Sequence, residues 1–243
     1  MVSLFTLIAI GFLLGMRHAT DADHVIAVST IVTREHKMRR SAMIGAAWGI
    51  GHTLTILAVG GAIILFRIAL PPRVGLAMEL AVGIMLIVLG VKNVAGSAFS
   101  PFSRKQIDAP VGHAHAHAHE ESSGERWPQR FAAYQVVRPL MVGIVHGLAG
   151  SAAIALLVLS TITDARWAIV YLAVFGIGTM LGMMLITVTL GSTFARAQKR
   201  FAHIGNHFGW AAGLISVAFG VFLTWQIGFV DGLFTAAAFW TPR

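Results

Sequence analysis

The run Arg17-His18-Ala19-Thr20-Asp21-Ala22-Asp23-His24 sets two imidazoles, two carboxylates and a guanidinium between apolar stretches. Ionisable groups at membrane depth are costly to keep, and chains retain them where they meet an ion, a proton or each other. Imidazole and carboxylate together also suit divalent transition metals: Ni(II), Co(II), Zn(II) or Cu(II). The chain contains no cysteine, so disulfides, thiolate sites and cysteine nucleophiles are excluded. His18, Asp21, Asp23 and His24 are therefore candidate metal ligands. On a straight helix His18 and Asp21 lie about 60° apart, as do Asp21 and His24, while Asp23 points elsewhere. Either the helix bends or unwinds here, or Asp23 supports a ligating imidazole by accepting its second N–H. Arg17, a cation beside a cation site, should turn away or pair with an aspartate. A purely structural polar network is the competing reading, and the cost of burying five such groups weighs against it.

Three further histidine positions follow. His52 in Gly51-His52-Thr53 is preceded by glycines that let another backbone approach, which suits a ligand reaching toward His18; otherwise it is a hydrogen-bonded packing residue. His146 has no nearby carboxylate and either lines the path or packs. His113, His115, His117 and His119 alternate with alanine and precede Glu120-Glu121. Such a tract is a compositional metal-binding signal. It suits loose holding or sensing of metal, since nothing fixes its geometry; an incidental linker is the alternative.

The elements that must position these groups are membrane helices. The chain is 56% hydrophobic and 12% charged, with a mean hydropathy of +0.76, well beyond what a soluble domain needs. The N-terminus lacks a basic leader region and leads into the polar motif, so it is expected to stay as a helix. Six spans are expected, over about residues 2–32, 41–70, 74–95, 139–162, 167–195 and 208–230. This divides the chain into a first three-helix half (1–95), a His-rich connection (96–138) and a second three-helix half (139–243). The net charge of +8 falls in short segments between apolar runs, which points to topology and not to nucleic acid. Thirteen Lys and Arg lie in the loops after spans one, three and five, against four on the opposite side. The positive-inside rule then puts the long connection in the cytoplasm and both termini outside it.

The halves resemble each other. Gly15-Met16-Arg17-His18 matches Gly143-Ile144-Val145-His146, and Trp48-Gly49-Ile50-Gly51-His52 matches Phe175-Gly176-Ile177-Gly178-Thr179. Gly83 and Gly90 match Gly213 and Gly220. Halves of three spans each imply an all-α, 3+3 inverted-topology repeat, with a site near the midplane between spans one, two, four and five. Glycines that merely allow close helix packing are the plainer reading.

Arg17, His18, Ala19, Asp21, Ala22, Asp23 and His24 together resemble the signature of the nickel/cobalt transporter family, and Gly51-His52-Thr53 looks like that family's Gly-His-Ser/Thr motif in the following helix. The resemblance implies transport of Ni(II) or Co(II) across the cytoplasmic membrane of a prokaryote, with the motif's histidines and aspartates essential and no resident cofactor. The close match covers about 40 residues. Typical members have eight spans and Asp-Thr-rich motifs in the second half. Six spans and a histidine tract look more like a related branch that includes nickel/cobalt exporters. A membrane metalloenzyme or a metal sensor using the same cluster is the alternative. The chain shows no HExxH pair, nucleophile motif or extramembrane domain of the kind an enzyme would need, so no enzyme activity is expected.

Overall fold

The computed structural model describes residues 4–33, 35, 37–66, 71–98, 126–148, 162, 164–200, 205–235 and 238–240. The histidine tract at 113–119 lies outside them. The described chain is helical: α1 (Leu4–His18), α2 (Ala22–Val32), α3 (Met38–Phe66), α4 (Pro72–Ala98), α5 (Arg126–Leu148), α6 (Ala165–Arg200) and α7 (Gly205–Trp225). α7 continues into a π-helical turn, Gln226–Val230. Among the described residues, four helical stretches are long and apolar enough to cross a bilayer: Met38–Phe66, Pro72–Gly96, Ala165–Arg200 and His207–Val230. The described part of the chain is thus all-helical, as in a multi-pass membrane protein. Apolar side chains such as Phe5, Leu54, Leu185, Leu214 and Phe222 face outward, as lipid requires, while polar groups collect inside.

The expected first span is two helices. Ala19 N–H donates to Gly15 O, after which Thr20 N–H and Asp21 N–H reach back only three residues, to Arg17 O and His18 O. Asp21 then adopts an extended conformation (φ −60°, ψ 148°) as the N-cap of α2, and Val25 N–H opens the new helix by donating to Asp21 O. Thr20 Oγ1 also donates to Arg17 O. The Arg17 and His18 carbonyls at the break are thereby satisfied, as an interruption at membrane depth demands.

The fourth expected span began at Pro139. α5 instead starts at Arg126 and carries Pro139 inside it, although proline removes one intrahelical bond and crowds the preceding turn. Membrane helices accommodate such prolines through their neighbours. The remainder of that expected span, 149–161, lies outside the described residues.

α3 is flanked by α6 and α5, α1 packs on α6, and α4 pairs with α7; α2 sits among α4, α6 and α7. Small residues allow this. A Cβ on Gly15 would overlap Phe175 O, one on Gly178 would overlap Phe12 O, one on Gly143 would overlap Trp48 O and one on Gly51 would overlap Leu140 O. Along α4 and α7, a Cβ on Gly90 would come within 2.5 Å of Gly213 O, and one on Gly220 within 2.7 Å of Gly83 O. Close approach of backbones is the usual basis of helix association where lipid removes the hydrophobic drive. Ala27, Val28 and Val32 of α2 then fill the centre against Trp48, Leu86 and Met183.

The C-terminal segment folds back over α4. Gly232 takes a positive φ of 83°, and the Trp240 indole N–H donates to Glu79 Oε1 at 2.9 Å. The Trp240 ring lies directly over Gly75, where a Cβ would overlap it.

Candidate metal centre

His18 ends α1, while Asp23 and His24 lie in the first turn of α2, so the break is what allows these groups to face one interior point. His52 lies midway along α3 and His146 near the end of α5. The glycines bring them together: a Cβ on Gly147 would come within 2.7 Å of His52 O, so α5 presses its histidine against α3 at that level. Thr55 Oγ1 ties the same crossing by donating to Gly51 O at 2.9 Å, with Ile144 O at 3.3 Å.

Four imidazoles converge there. Ring centroids are 4.7 Å apart for His18–His24, 5.2 Å for His18–His52, 5.2 Å for His24–His52 and 4.2 Å for His24–His146. His24, His52 and His146 are fully buried and His18 nearly so. Two overlapping groups of donors result. His18, His24 and His52 each bring one ligand atom within 4.8 Å of the others, and so do Asp23, His24 and His146.

The aspartates divide the work. Asp21 Oδ2 lies 2.7 Å from His18 Nδ1 and is 44% exposed, so it grips His18 from outside the cluster. That leaves His18 Nε2 pointing inward, 3.2 Å from His52 Nε2. Asp23 lies deeper: Oδ1 accepts from the His24 backbone N–H at 3.0 Å and sits 3.1 Å from His24 Nδ1. Its Oδ2 lies 2.8 Å from His146 Nε2. A neutral His24 that donates from Nδ1 to Asp23 keeps a bare lone pair on Nε2, and Nε2 has no hydrogen-bond partner. His52 Nδ1 and His146 Nδ1 are likewise buried without partners. Buried imidazole nitrogens left unsatisfied are uncommon and call for an explanation; a Lewis-acidic ion supplies one.

Electrostatics point the same way. The N-terminus of α2 carries the positive end of its helix dipole, which alone repels a cation. Asp21 at the N-cap and Asp23 in the first turn reverse that sign. Arg17 points away and is exposed.

The structure therefore brings together His18, Asp23, His24, His52 and His146, and places Asp21 at the rim. Two aromatic neighbours escaped the sequence reading. Trp48 stacks on His24 at 6.1 Å with an interplanar angle of 8° and lies 5.6 Å from His146. Phe175 lies 5.5 Å from His18. The repeat had matched Trp48 to Phe175, a signal available in the sequence but used there only for the glycines.

No family model matches the chain, and no solved structure is significantly similar. Among curated proteins, the urease accessory protein UreH of Bacillus sp. (strain TB-90) is 37% identical over 233 residues, covering 96% of each chain. Two Arabidopsis thaliana chloroplast proteins, FOR GROWTH AND FERTILITY 2 and FOR GROWTH AND FERTILITY 1, are 26% and 22% identical over 213 residues. This chain spans only 54% and 56% of their lengths. The UreH likeness is sustained from end to end and well above that level, and the chain belongs to the family of the urease accessory protein UreH.

Proposed function

We propose that the protein carries a divalent transition-metal cation, Ni(II) or Co(II), across a prokaryotic cytoplasmic membrane. The observation behind this is the convergence of four buried histidines and a carboxylate on a broken helix inside a multi-pass membrane protein. Discontinuous helices with polar groups at the break are how secondary transporters build ion sites. Three unpartnered imidazole nitrogens favour an ion over a closed hydrogen-bond network. Kinship with a urease accessory protein fits nickel-related transport, as does the motif resemblance.

The ligand set in this reading is His18, Asp23, His24, His52 and His146, with Asp21 holding His18. A six-span, 3+3 inverted repeat is part of the proposal. It is supported by the pairing of close contacts, for Gly15 meets Phe175 O as Gly143 meets Trp48 O, and Gly51 meets Leu140 O as Gly178 meets Phe12 O. In this reading the connection carrying His113, His115, His117 and His119 is cytoplasmic, as the positive-inside rule favours, and serves as an accessory metal-holding segment. The metal is cargo, and the bilayer is the chain's other partner.

The test is movement of radiolabelled nickel into or out of proteoliposomes containing the full chain. Wild type is expected to transport, and His18→Ala and His24→Ala to lose most of the flux. Variants that match wild type would remove the assignment.

A further inference from the structure

Resting on that transport reading, we propose that the cluster is two cation subsites sharing His24, between which a single ion is handed from ligands of residues 1–95 to a bridge with α5. The first subsite is His18, His24 and His52; the second is Asp23, His24 and His146. His24 is the one residue common to both groups.

Every ligand of the first subsite lies on α1, α2 or α3, all before residue 95. The second needs His146 from α5, 123 residues away from Asp23. An ion in the first subsite is thus held by one part of the chain. An ion in the second ties that part to the other and becomes sensitive to their relative movement. Donor pairs in each group already stand at the spacing of ligands about one ion: His18 Nε2 and His52 Nε2 are 3.2 Å apart, and His146 Nε2 and Asp23 Oδ2 are 2.8 Å apart. Each subsite thus has its donors close at hand, and His24 must turn from one to the other.

The nitrogens suit this exchange. His24 keeps Nε2 free while Asp23 holds its Nδ1. His146 keeps Nδ1 free while Asp23 holds its Nε2. One carboxylate thereby orients both imidazoles, and when the ion enters the second subsite Asp23 gives up these hydrogen bonds to become a ligand itself. A neutral imidazole offers one lone-pair nitrogen at a time, so His24 serves one subsite or the other and they fill alternately.

The absence of cysteine makes a clean probe possible. The purified full chain is titrated with Co(II), whose thiolate complexes show an intense charge-transfer absorption that imidazole complexes lack. His146→Cys and His52→Cys are each expected to show that band. Wild type is expected to bind one Co(II) without it. His146→Asn is expected to keep Co(II) binding through the first subsite, with a changed visible spectrum and nickel flux reduced about tenfold or more. His24→Asn is expected to lose binding altogether. A band from His52→Cys but none from a folded, monodisperse His146→Cys overturns the second subsite. Two Co(II) bound at once overturns alternate filling. If wild type neither binds Co(II) nor moves nickel, the transport reading itself fails, an outcome separable from the other two.

Discussion

Asp23→Asn isolates the carboxylate at the centre of the cluster without changing its volume. Asp23 serves three donors: the His24 backbone N–H at 3.0 Å, His24 Nδ1 at 3.1 Å and His146 Nε2 at 2.8 Å. Its side chain is 17% exposed. An asparagine oxygen can still accept from His24. Its amide N–H₂ then faces His146 Nε2, which has to become an acceptor and shift its proton to Nδ1, an atom with no partner. Hydrogen bonds to a charged group contribute about 1.5–3 kcal/mol each. A unit charge within about 5 Å of a dication contributes about 7 kcal/mol or more at an effective dielectric of 20, of which desolvation of the carboxylate cancels a large part. A net loss of about 3 kcal/mol corresponds to about 100-fold in metal affinity. Asp21→Asn is the control. Its side chain is 44% exposed and meets only His18 in the cluster, so its effect should stay near 1 kcal/mol, under about tenfold. The assay is nickel flux in proteoliposomes with Co(II) calorimetry on the same preparations, with size exclusion confirming the fold. Asp23→Asn within threefold of wild type in both, or Asp21→Asn the more damaging of the two, would refute the division of labour between the aspartates.

Gly15→Ala and Gly143→Ala place a methyl onto backbone carbonyls that cannot rotate away, and each should destabilise by about 1–3 kcal/mol or more. Gly61→Ala, which meets nothing within 4 Å, should leave the thermal midpoint in detergent unchanged or slightly raised. Deleting residues 113–119 should leave nickel flux within about twofold of wild type, because that tract is accessory in the proposed reading; abolished flux would make it part of the pathway. Trp240→Ala removes the indole donor to Glu79 and uncovers Gly75. It should destabilise the fold by about 1.5–3 kcal/mol, for the loss of a hydrogen bond to a charged group, seen as a lower midpoint, while metal affinity stays unchanged in calorimetry.

The helix break could be anticipated because its cause is local: His18, Asp21, Asp23 and His24 cannot share one face of a regular helix. Asp21 is also a good N-cap residue. His52 was reachable through the glycine beside it. The pairing of Asp23 with His146 was not, because it joins positions 123 residues apart and depends on how closely α5 approaches α3. The same angular reasoning favoured Asp21 as a ligand over Asp23. Once the chain turns extended at Asp21, helical angles stop applying, and Asp23 swings to the interior. Pro139 misled for a related reason. Proline usually marks a first turn, but a membrane helix flanked by other helices carries it inside. The π-helical turn at Gln226–Val230 has no marker in composition at all. The stacked Trp48 and Phe175 were hidden by their type, since aromatic residues in an apolar helix look like ordinary core.

The pairing of α1 with α6 also bears on how the chain is assembled. α1 has only 15 residues, ends in a polar corner, and finds its main neighbour beyond residue 165. α1 therefore stays without its main packing partner until α6 has been made. Before that, His18 and Asp21 have neither α6 nor α5 to shield them. Biogenesis of this protein should accordingly favour late consolidation, and a chain truncated before α6 should be left as a substrate for membrane proteases, not as a stable half-molecule.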